Sequence, residues 1–554
     1  MTVTALASRL PDDADIAGPF VARQLRIGLE CYAAGRIDDA IAAYQRGLAT
    51  VEDHPQGCAP VETISELHSK LGNACMIRGD LEFAAANYKA ALRLAPHLTD
   101  CWCNLGNAHL KTGKAQEAIA LYLQALTLNP GHWAARTNLV QALMATQQYS
   151  MASALLLELI DERPQDGQIR HQLGKIYFEL NELDPALQCF EQAVVLNPGD
   201  SESIYWIGGI RQRMGETGAA EAAYARAAQI QPVIRRPAAK SAADFRVLAL
   251  FAPFAGNIPT EYLFKDTAYD TDTFALFAAS EYDAERLGQG VQVVVNLISD
   301  ADQGSAVLPL AADLVDRLGK PTVNDPRQIQ RTTRDAVAGL LEGIPGCRVP
   351  KVLRQNADTD FLVAVLRAVF SLPCPILVRP VGTHGGDDFE RIEDPVELAA
   401  LLAQRPDTDR YLIEYIDYRS SDDYFRKYRF LFVDGQILPY HLAIGNGWKL
   451  HHDSTDMADH PWMQQEEEAF LNNPATVFNS GHYQALRAIR QRIGLEFFGI
   501  DCGLDRLGNL VVFEVNASML VHDRNEKFPY KAPFVRRVKL AFDAMLRKFA
   551  GADA

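Results

Sequence analysis

The chain runs to 554 residues, more than one ordinary domain of roughly 100–200 residues accommodates, so three or four folded units are expected. Hydrophobic residues make up 48% and charged residues 22%, the balance of a folded chain and not of a long disordered one. Fifty-four basic against 70 acidic side chains leave a net charge of −16, which excludes a bulk electrostatic grip on nucleic acid or an anionic bilayer.

No apolar run approaches the roughly 18 residues needed to span a membrane, and Met1 to Pro11 reads as neither a basic leader nor an apolar signal core, so a cytoplasmic location is expected. Nine cysteines, scattered and without a C-x-x-C pair, read as free thiols.

After an extension over 1–20, the chain repeats itself. Taking Ser65, Thr99, Trp133, Gly167 and Ser201 as position 1 gives five units at a constant 34-residue step. Position 8 is then Gly72, Gly106, Val140, Gly174 and Gly208, position 24 is Tyr88, Tyr122, Leu156, Phe190 and Tyr224, and position 32 is always proline, from Pro96 to Pro232. A sixth unit opens near Val21, with Gly28, Ala40 and Tyr44 in register and an insertion around 55–62 behind it. This register resembles the tetratricopeptide repeat, which implies stacked helical hairpins over 21–232 and a concave face lined by the first helices. Asn73 and Asn107 share position 9, and Asn104 and Asn138 share position 6. Side-chain amides therefore recur along that face, either to hold an extended peptide or protein partner or to satisfy neighbouring repeats.

Residues 233–244 break the period and read as a linker. Phe245 to Phe251 and Val291 to Ile298 are β-rich apolar runs, Leu308 to Leu318 reads as a helix, and Pro321 to Asn324 as a strand end; 245–325 thus reads as an α/β unit with a mostly parallel sheet. Ile376 to Gly386 is an apolar strand, a cation at Arg379, and a glycine-rich loop with Gly382, Gly385 and Gly386, the kind of backbone that approaches phosphates. Tyr411 to Asp417 reads as a strand. Tyr428 to Val433 and Ile437 to Ala443 form a hairpin around Asp434-Gly435, Glu466 to Glu468 reads as a solvated helix start, and Ala532 to Phe549 as a final helix.

Phe497 to Asn516 alternates as two strands around a turn at Arg506 to Asn509. A hairpin centred between Leu507 and Gly508 sets Asp501 opposite Glu514, with Asn516 on the same face. Two carboxylates and an amide oxygen form the hard-oxygen set that Mg²⁺ prefers beside phosphates; the alternative is a solvent-exposed cross-strand acidic pair, which like charges directly opposite disfavour unless a cation sits between them.

These pieces, in this order over about 245–550, resemble the ATP-grasp superfamily of carboxylate–amine ligases. The fold class so implied is α plus α/β: an N-terminal all-α repeat solenoid followed by an ATP-grasp α/β fold, with a leading domain at 245–325 and the grasp domain at 326–554. The resemblance implies ATP and one or two Mg²⁺ as cofactors, with the metal on Asp501, Glu514 and Asn516. Phosphate contacts would come from Arg334 and Arg379, where the family favours lysine; adenine would lie along Glu414, Tyr415 and Ile416, with a ribose acid at Asp422 or Asp423. Arg429 would stabilise the transferred phosphate. Lys449 and His441, with His451 and His452, fall where substrate loops are placed, and Ser518, His522 and Arg524 would follow the metal ligands into the pocket.

The activity implied is ATP-dependent amide formation through an acyl phosphate, with a small amine or amino acid as co-substrate, a peptide or protein held by the repeats, and a homodimer allowed. Two alternatives stay open: a repeat scaffold with a regulatory or inactive nucleotide module, and a phosphotransferase using the same residues.

Overall fold

The structure is a computed structural model that describes residues 13–54, 59–240, 242–254, 256–277, 282–383, 389–450, 455–523 and 525–552. Two compact units divide the chain, Met1–Ala223 and Tyr224–Ala554.

Helices fill the first unit. Ten of them, from Asp13–Ala33 to Leu183–Leu196, follow one another as five hairpins, and Ser201–Arg213 and Thr217–Ile230 continue the alternation. The first opens at Asp13, inside the segment expected as an extension, and buries Ala17 and Val21. Glycine at position 8 has a packing reason: a Cβ added at Gly72 would stand 2.6 Å from Tyr88 Cε1, and one at Gly106 2.5 Å from Tyr122 Cε1. Non-bonded carbons rest no closer than about 3.5 Å, so glycine is required wherever position 24 carries a large ring. In the repeat with Val140 at position 8, position 24 is the smaller Leu156, and both are fully buried.

Three sheets organise the second unit. β1 (Val233–Arg236), β2 (Arg246–Phe251), β3 (Asp270–Ala275), β4 (Val293–Asn296) and β5 (Thr322–Val323) form the first, in the order β1-β3-β2-β4-β5. All pairs are parallel except β1 with β3. Two departures from the sequence reading occur here. β1 lies in the segment expected as a linker, where its backbone completes an edge of the sheet. β3, Asp270-Thr-Asp-Thr-Phe-Ala, lacks the apolar run that marks a strand, and its charge is met by a neighbour: Arg246 Nη2 donates to Asp270 Oδ2 at 3.2 Å.

β6 (Cys347–Arg348), β7 (Val352–Gln355), β8 (Ile376–Pro380), β9 (Glu390–Ile392) and β10 (Arg410–Glu414) come next. β7, β10, β8 and β9 make an antiparallel sheet, while β6 joins the third sheet. That sheet runs β12 (Gln436–Gly445), β11 (Phe425–Val433), β13 (Phe497–Leu504), β14 (Leu510–Asn516), β6. The β11–β12 turn has positive φ at Asp434 and Gly435, as an Asp-Gly hairpin requires.

Alternation along β11 splits its side chains between two environments. Tyr428 and Phe430 pack on Phe470 and Phe478, with ring centroids 4.9–5.5 Å apart, while Lys427 and Arg429 face a cavity. Asn324, fully buried at the end of β5, clasps the first sheet to the third: its Oδ1 accepts from Phe497 N at 2.9 Å and its Nδ2 donates to Phe497 O at 2.7 Å. Glu466 to Glu468 do not begin a solvated helix. They lie within Pro461–Asn472, where Glu467 is completely buried because basic and phenolic groups gather on it.

Candidate functional site

A cavity of about 200 Å³ lies between the antiparallel sheet and the third sheet, wholly within the second unit. One wall is aromatic and apolar. Phe389 and Tyr415 meet the Trp448 ring edge-on at 5.3 and 6.4 Å, Tyr418 packs on Phe513 at 4.5 Å, and Leu377, Ile413, Ile416 and Leu450 fill between them.

The opposite wall is charged. The β13–β14 hairpin pairs Asp501 with Glu514, the pair expected from sequence, and Gly499 with Asn516. The register reaches that pairing through a bulge, since Cys502 pairs with Val512 and leaves Phe513 as the extra residue. Arg429, paired with Asp501 across β11 and β13, donates from Nε to Oδ1 at 2.6 Å and from Nη2 to Oδ2 at 2.9 Å. Lys427 Nζ stands 3.3 Å from Oδ2. Arg334, at the start of the helix Arg334–Leu341, donates to Glu514 Oε1 at 2.7 Å. Asn516 Oδ1 accepts from Ser518 N at 2.6 Å.

Burial alone would raise both carboxyls. Arg429 and Lys427 reverse this at Asp501 and hold it well below the ordinary range, and Arg334 with Arg379 lowers Glu514 against burial and the charge of Asp501. The cation expected between the two acids is thus supplied by protein side chains. Arg379 is buried, donates to the Thr383 carbonyl and hydroxyl, lies over the Phe389 ring at 5.4 Å, and forms no ion pair among the described residues; burial and the nearby Arg334 push it down to about 10. Among the described residues, five cations (Arg334, Arg379, Lys427, Arg429, Lys449) and three carboxylates (Glu414, Asp501, Glu514) line the cavity, an excess of two positive charges. Among the described residues no cluster of three His, Cys, Asp or Glu side chains could hold a metal; the oxygen set consists of Asp501, Glu514 and the Asn516 amide.

Ten of the residues singled out from sequence therefore line one cavity: Arg334, Arg379, Glu414, Tyr415, Ile416, Arg429, Lys449, Asp501, Glu514 and Asn516. Glu414 points its carboxylate at the Lys351 amide and Arg348, so only the backbone after it is open to a base. Gly382, with φ of +76°, and Ser518 line a smaller adjoining cavity of about 50 Å³ that shares Arg334, Glu514 and Asn516. Four candidates lie elsewhere. Asp422 is held by Arg426 through two 2.8 Å bonds, and Asp423 sits in the exposed turn beside it at φ +64°. His441 is tied to Glu467 at 2.5 Å, and His522 lines neither cavity because the chain turns away after Ser518. Gly385, Gly386, His451, His452 and Arg524 lie outside the described residues. Lys427 was missed, although its spacing of two from Arg429 on a strand marks it as a neighbour on the same face.

In the first unit the asparagines link repeats. Asn73 Oδ1 accepts from Tyr88 Oη at 2.8 Å and Asn104 Nδ2 at 3.0 Å; one repeat on, Asn107 Oδ1 accepts from Tyr122 Oη at 2.8 Å and Asn138 Nδ2 at 2.7 Å. Family models described as tetratricopeptide repeat match residues 109–176 and 167–200, and one described as TPR repeat matches 72–113.

Residues 72–200 carry tetratricopeptide repeats.

MamA from Desulfovibrio magneticus RS-1 aligns at 22% identity over 30% of this chain and 94% of its own, with a TM-score of 0.29. YrrB, a TPR protein with an unusual peptide-binding site, aligns at 23% over 30% of this chain and 86% of its own, with a TM-score of 0.27. A tetratricopeptide repeat protein from Parabacteroides merdae aligns at 17% over 40% and 82%, with a TM-score of 0.35. None of the curated proteins matches the chain. Within the tetratricopeptide array, the Nδ2 groups of Asn73 and Asn107 and the Oδ1 atoms of Asn104 and Asn138 have no partner among the described residues, so half of each amide stays open to a ligand. No helix among the described residues is long and apolar enough to cross a membrane.

Proposed function

We propose that the second unit is an ATP-dependent carboxylate–amine ligase and that the tetratricopeptide array holds its peptide or protein substrate. One observation carries the reading: a cavity with an aromatic wall on one side and, among the described residues, an excess of two positive charges, within a chain of net charge −16. An aromatic slot suits a nucleobase, and uncompensated cations suit a polyphosphate. Arg379, buried without an ion pair, is the cation most in need of an anion.

Arg334, Arg379, Lys427 and Arg429 would neutralise phosphate oxygens and orient the terminal phosphorus toward a substrate carboxylate. Carboxylate oxygen attacks that phosphorus, the bond to the β,γ-bridging oxygen breaks, and ADP leaves with the electron pair. An amine nitrogen then attacks the acyl phosphate carbon, inorganic phosphate leaves and the nitrogen loses a proton. Mg²⁺, held by oxygens of Asp501, Glu514 and Asn516, would spread the phosphate charge further. No side chain serves as a nucleophile.

A second reading, a repeat scaffold with an inactive nucleotide module, is favoured by the protein partners that Asp501, Glu514 and Asn516 already have. ADP release with MgATP and a broad pool of amino acids and peptides separates the two: turnover abolished by Glu514→Gln supports the ligase, and nucleotide binding without turnover supports the scaffold. Deleting the array and comparing kinetics on the true substrate tests recruitment, which predicts a raised KM at unchanged kcat.

A further inference from the structure

Glu467 exposes no surface, yet four polar groups meet it. His441 Nδ1 lies 2.5 Å from Oε1, Leu442 N donates to Oε1 at 3.1 Å, Lys531 Nζ stands 2.9 Å from Oε1, and Tyr530 Oη donates to Oε2 at 2.6 Å. Lys531 Nζ is also 2.9 Å from His441 Nδ1, and its side chain is 6% exposed. Stability does not account for such a cluster, because replacing a buried ion pair with apolar residues is commonly neutral or stabilising.

Its place in the sheet does. Arg429 pairs with His441 across β11 and β12, with Asp501 across β11 and β13, and Asp501 pairs with Glu514. Register partners share a face, so His441, Arg429, Asp501 and Glu514 form one transverse row. A bulge sets the row's end: Phe430 pairs with Pro439, leaving Tyr440 as the extra residue and bringing His441 beside Arg429. Arg429 thus has a carboxylate on the cavity side and the Lys531 ammonium beyond His441. Its own charge weighs on both, helping to lower His441 and Lys531, whose largest depressor is burial.

We propose that Glu467, Lys531 and His441 are positioning residues for Arg429: Glu467 anchors His441 at the end of the row and Lys531 beyond it, and Lys531 repels the Arg429 guanidinium toward Asp501 and a bound phosphate. The inference rests on the nucleotide reading above. It assigns a task to a buried network that touches neither nucleotide nor substrate.

The test uses the full chain and titrates AMP, ADP and ATP with Mg²⁺, following heat or Trp448 fluorescence. Glu467→Gln and Lys531→Met are expected to cut the affinity gained from AMP to ATP by about fivefold, the size of coupling seen within one hydrogen-bonded network, and to leave AMP affinity within about twofold. In an Arg429→Met background, Glu467→Gln is expected to change ATP affinity by less than about twofold, since its effect runs through Arg429. Tyr530→Phe, which removes one hydrogen bond, gives a smaller loss of the same kind and keeps the test available if Glu467→Gln does not fold. An unchanged AMP-to-ATP gain in folded Lys531→Met and Tyr530→Phe overturns the proposal, as does an effect of Glu467→Gln that adds fully to Arg429→Met. A wild-type chain that binds none of the three nucleotides overturns the nucleotide reading instead.

Discussion

Arg429 and Asp501 face each other across β11 and β13, joined by two hydrogen bonds of 2.6 and 2.9 Å in the two-pronged geometry of a guanidinium on a carboxylate. Asp501 is 4% exposed, so removing the arginine leaves a nearly dry anion that keeps, among the described residues, the ion pair with Lys427 at 3.3 Å. Arg429→Met is expected to cost about 3 kcal/mol in urea unfolding, the scale for breaking a buried pair from one side. The double variant Arg429→Met with Asp501→Leu should recover most of that loss, and full additivity of the two single effects would contradict the pairing.

Arg379 offers a test of the phosphate wall. Its guanidinium is buried and pushed down to about 10 by burial and by Arg334, so the unliganded protein bears a cost in keeping it charged. Arg379→Met is therefore expected to weaken ATP binding at least about tenfold, the scale of one charge-assisted contact, and to leave the thermal midpoint unchanged or raised. Calorimetric titration and a melting curve read the two effects separately.

Position 8 of the repeats predicts a compensated substitution. Gly106→Ala would drive a Cβ to 2.5 Å from the Tyr122 ring, for an expected loss of about 2 kcal/mol. Adding Tyr122→Leu reproduces the smaller partner found beside Val140 and should relieve the clash, although it removes the Tyr122 hydroxyl from Asn107 Oδ1, which keeps the bond from Asn138 Nδ2. Thermal unfolding of the two variants gives the comparison.

Protonation predicts a slope. Burial, with Lys531 and Arg429 adding to it, pushes His441 down to about 4 against the pull of Glu467, below the roughly 6.5 of an unfolded histidine. Between those values the unfolded chain binds the extra proton, so stability rises with pH from about 4 to 6.5 and this contribution is flat above it. Glu467 lies at about 2 because His441 and Lys531 overcome its burial; its contribution is full above about 4.5 and is lost as pH falls toward 2. Melting at pH 4.5 and pH 7 should show a smaller difference in His441→Asn than in the wild type.

Much of this was legible in the residues, for reasons that differ by element. Leu308–Leu318 and Ala532–Phe549 carry one-sided apolar periodicity and emerge with the expected ends. Asp501 opposite Glu514 followed from hairpin symmetry, but an unbulged hairpin with the observed inner pairs would set Asp501 against Phe513 and turn Glu514 to the other face. The odd residue taken up at Phe513 leaves no mark in the spacing. β3 was hidden because its own residues are mostly polar, and β1 because four residues of mixed character show no period. Glu467 was misread for a deeper reason: a run of three glutamates looks solvated, and only the distant Lys531, Tyr530 and His441 make burial of the middle one tolerable. Asp422 and Asp423 follow a strand end, as a sugar-binding acid would, but Arg426 lies four residues from Asp422 and takes it locally.

The Asn324 clasp carries a consequence for biosynthesis. Its partners Glu496 and Phe497 lie 172 and 173 residues further along the chain, so the parallel sheet leaves the ribosome well before the backbone that closes its last strand exists. At the roughly 5–20 residues per second of synthesis, that wait lasts on the order of ten to thirty seconds. During it the short β5 strand and a buried-type asparagine stand open to competing partners. The Asn324 amide is therefore satisfied only late in translation, once Glu496 and Phe497 have been made.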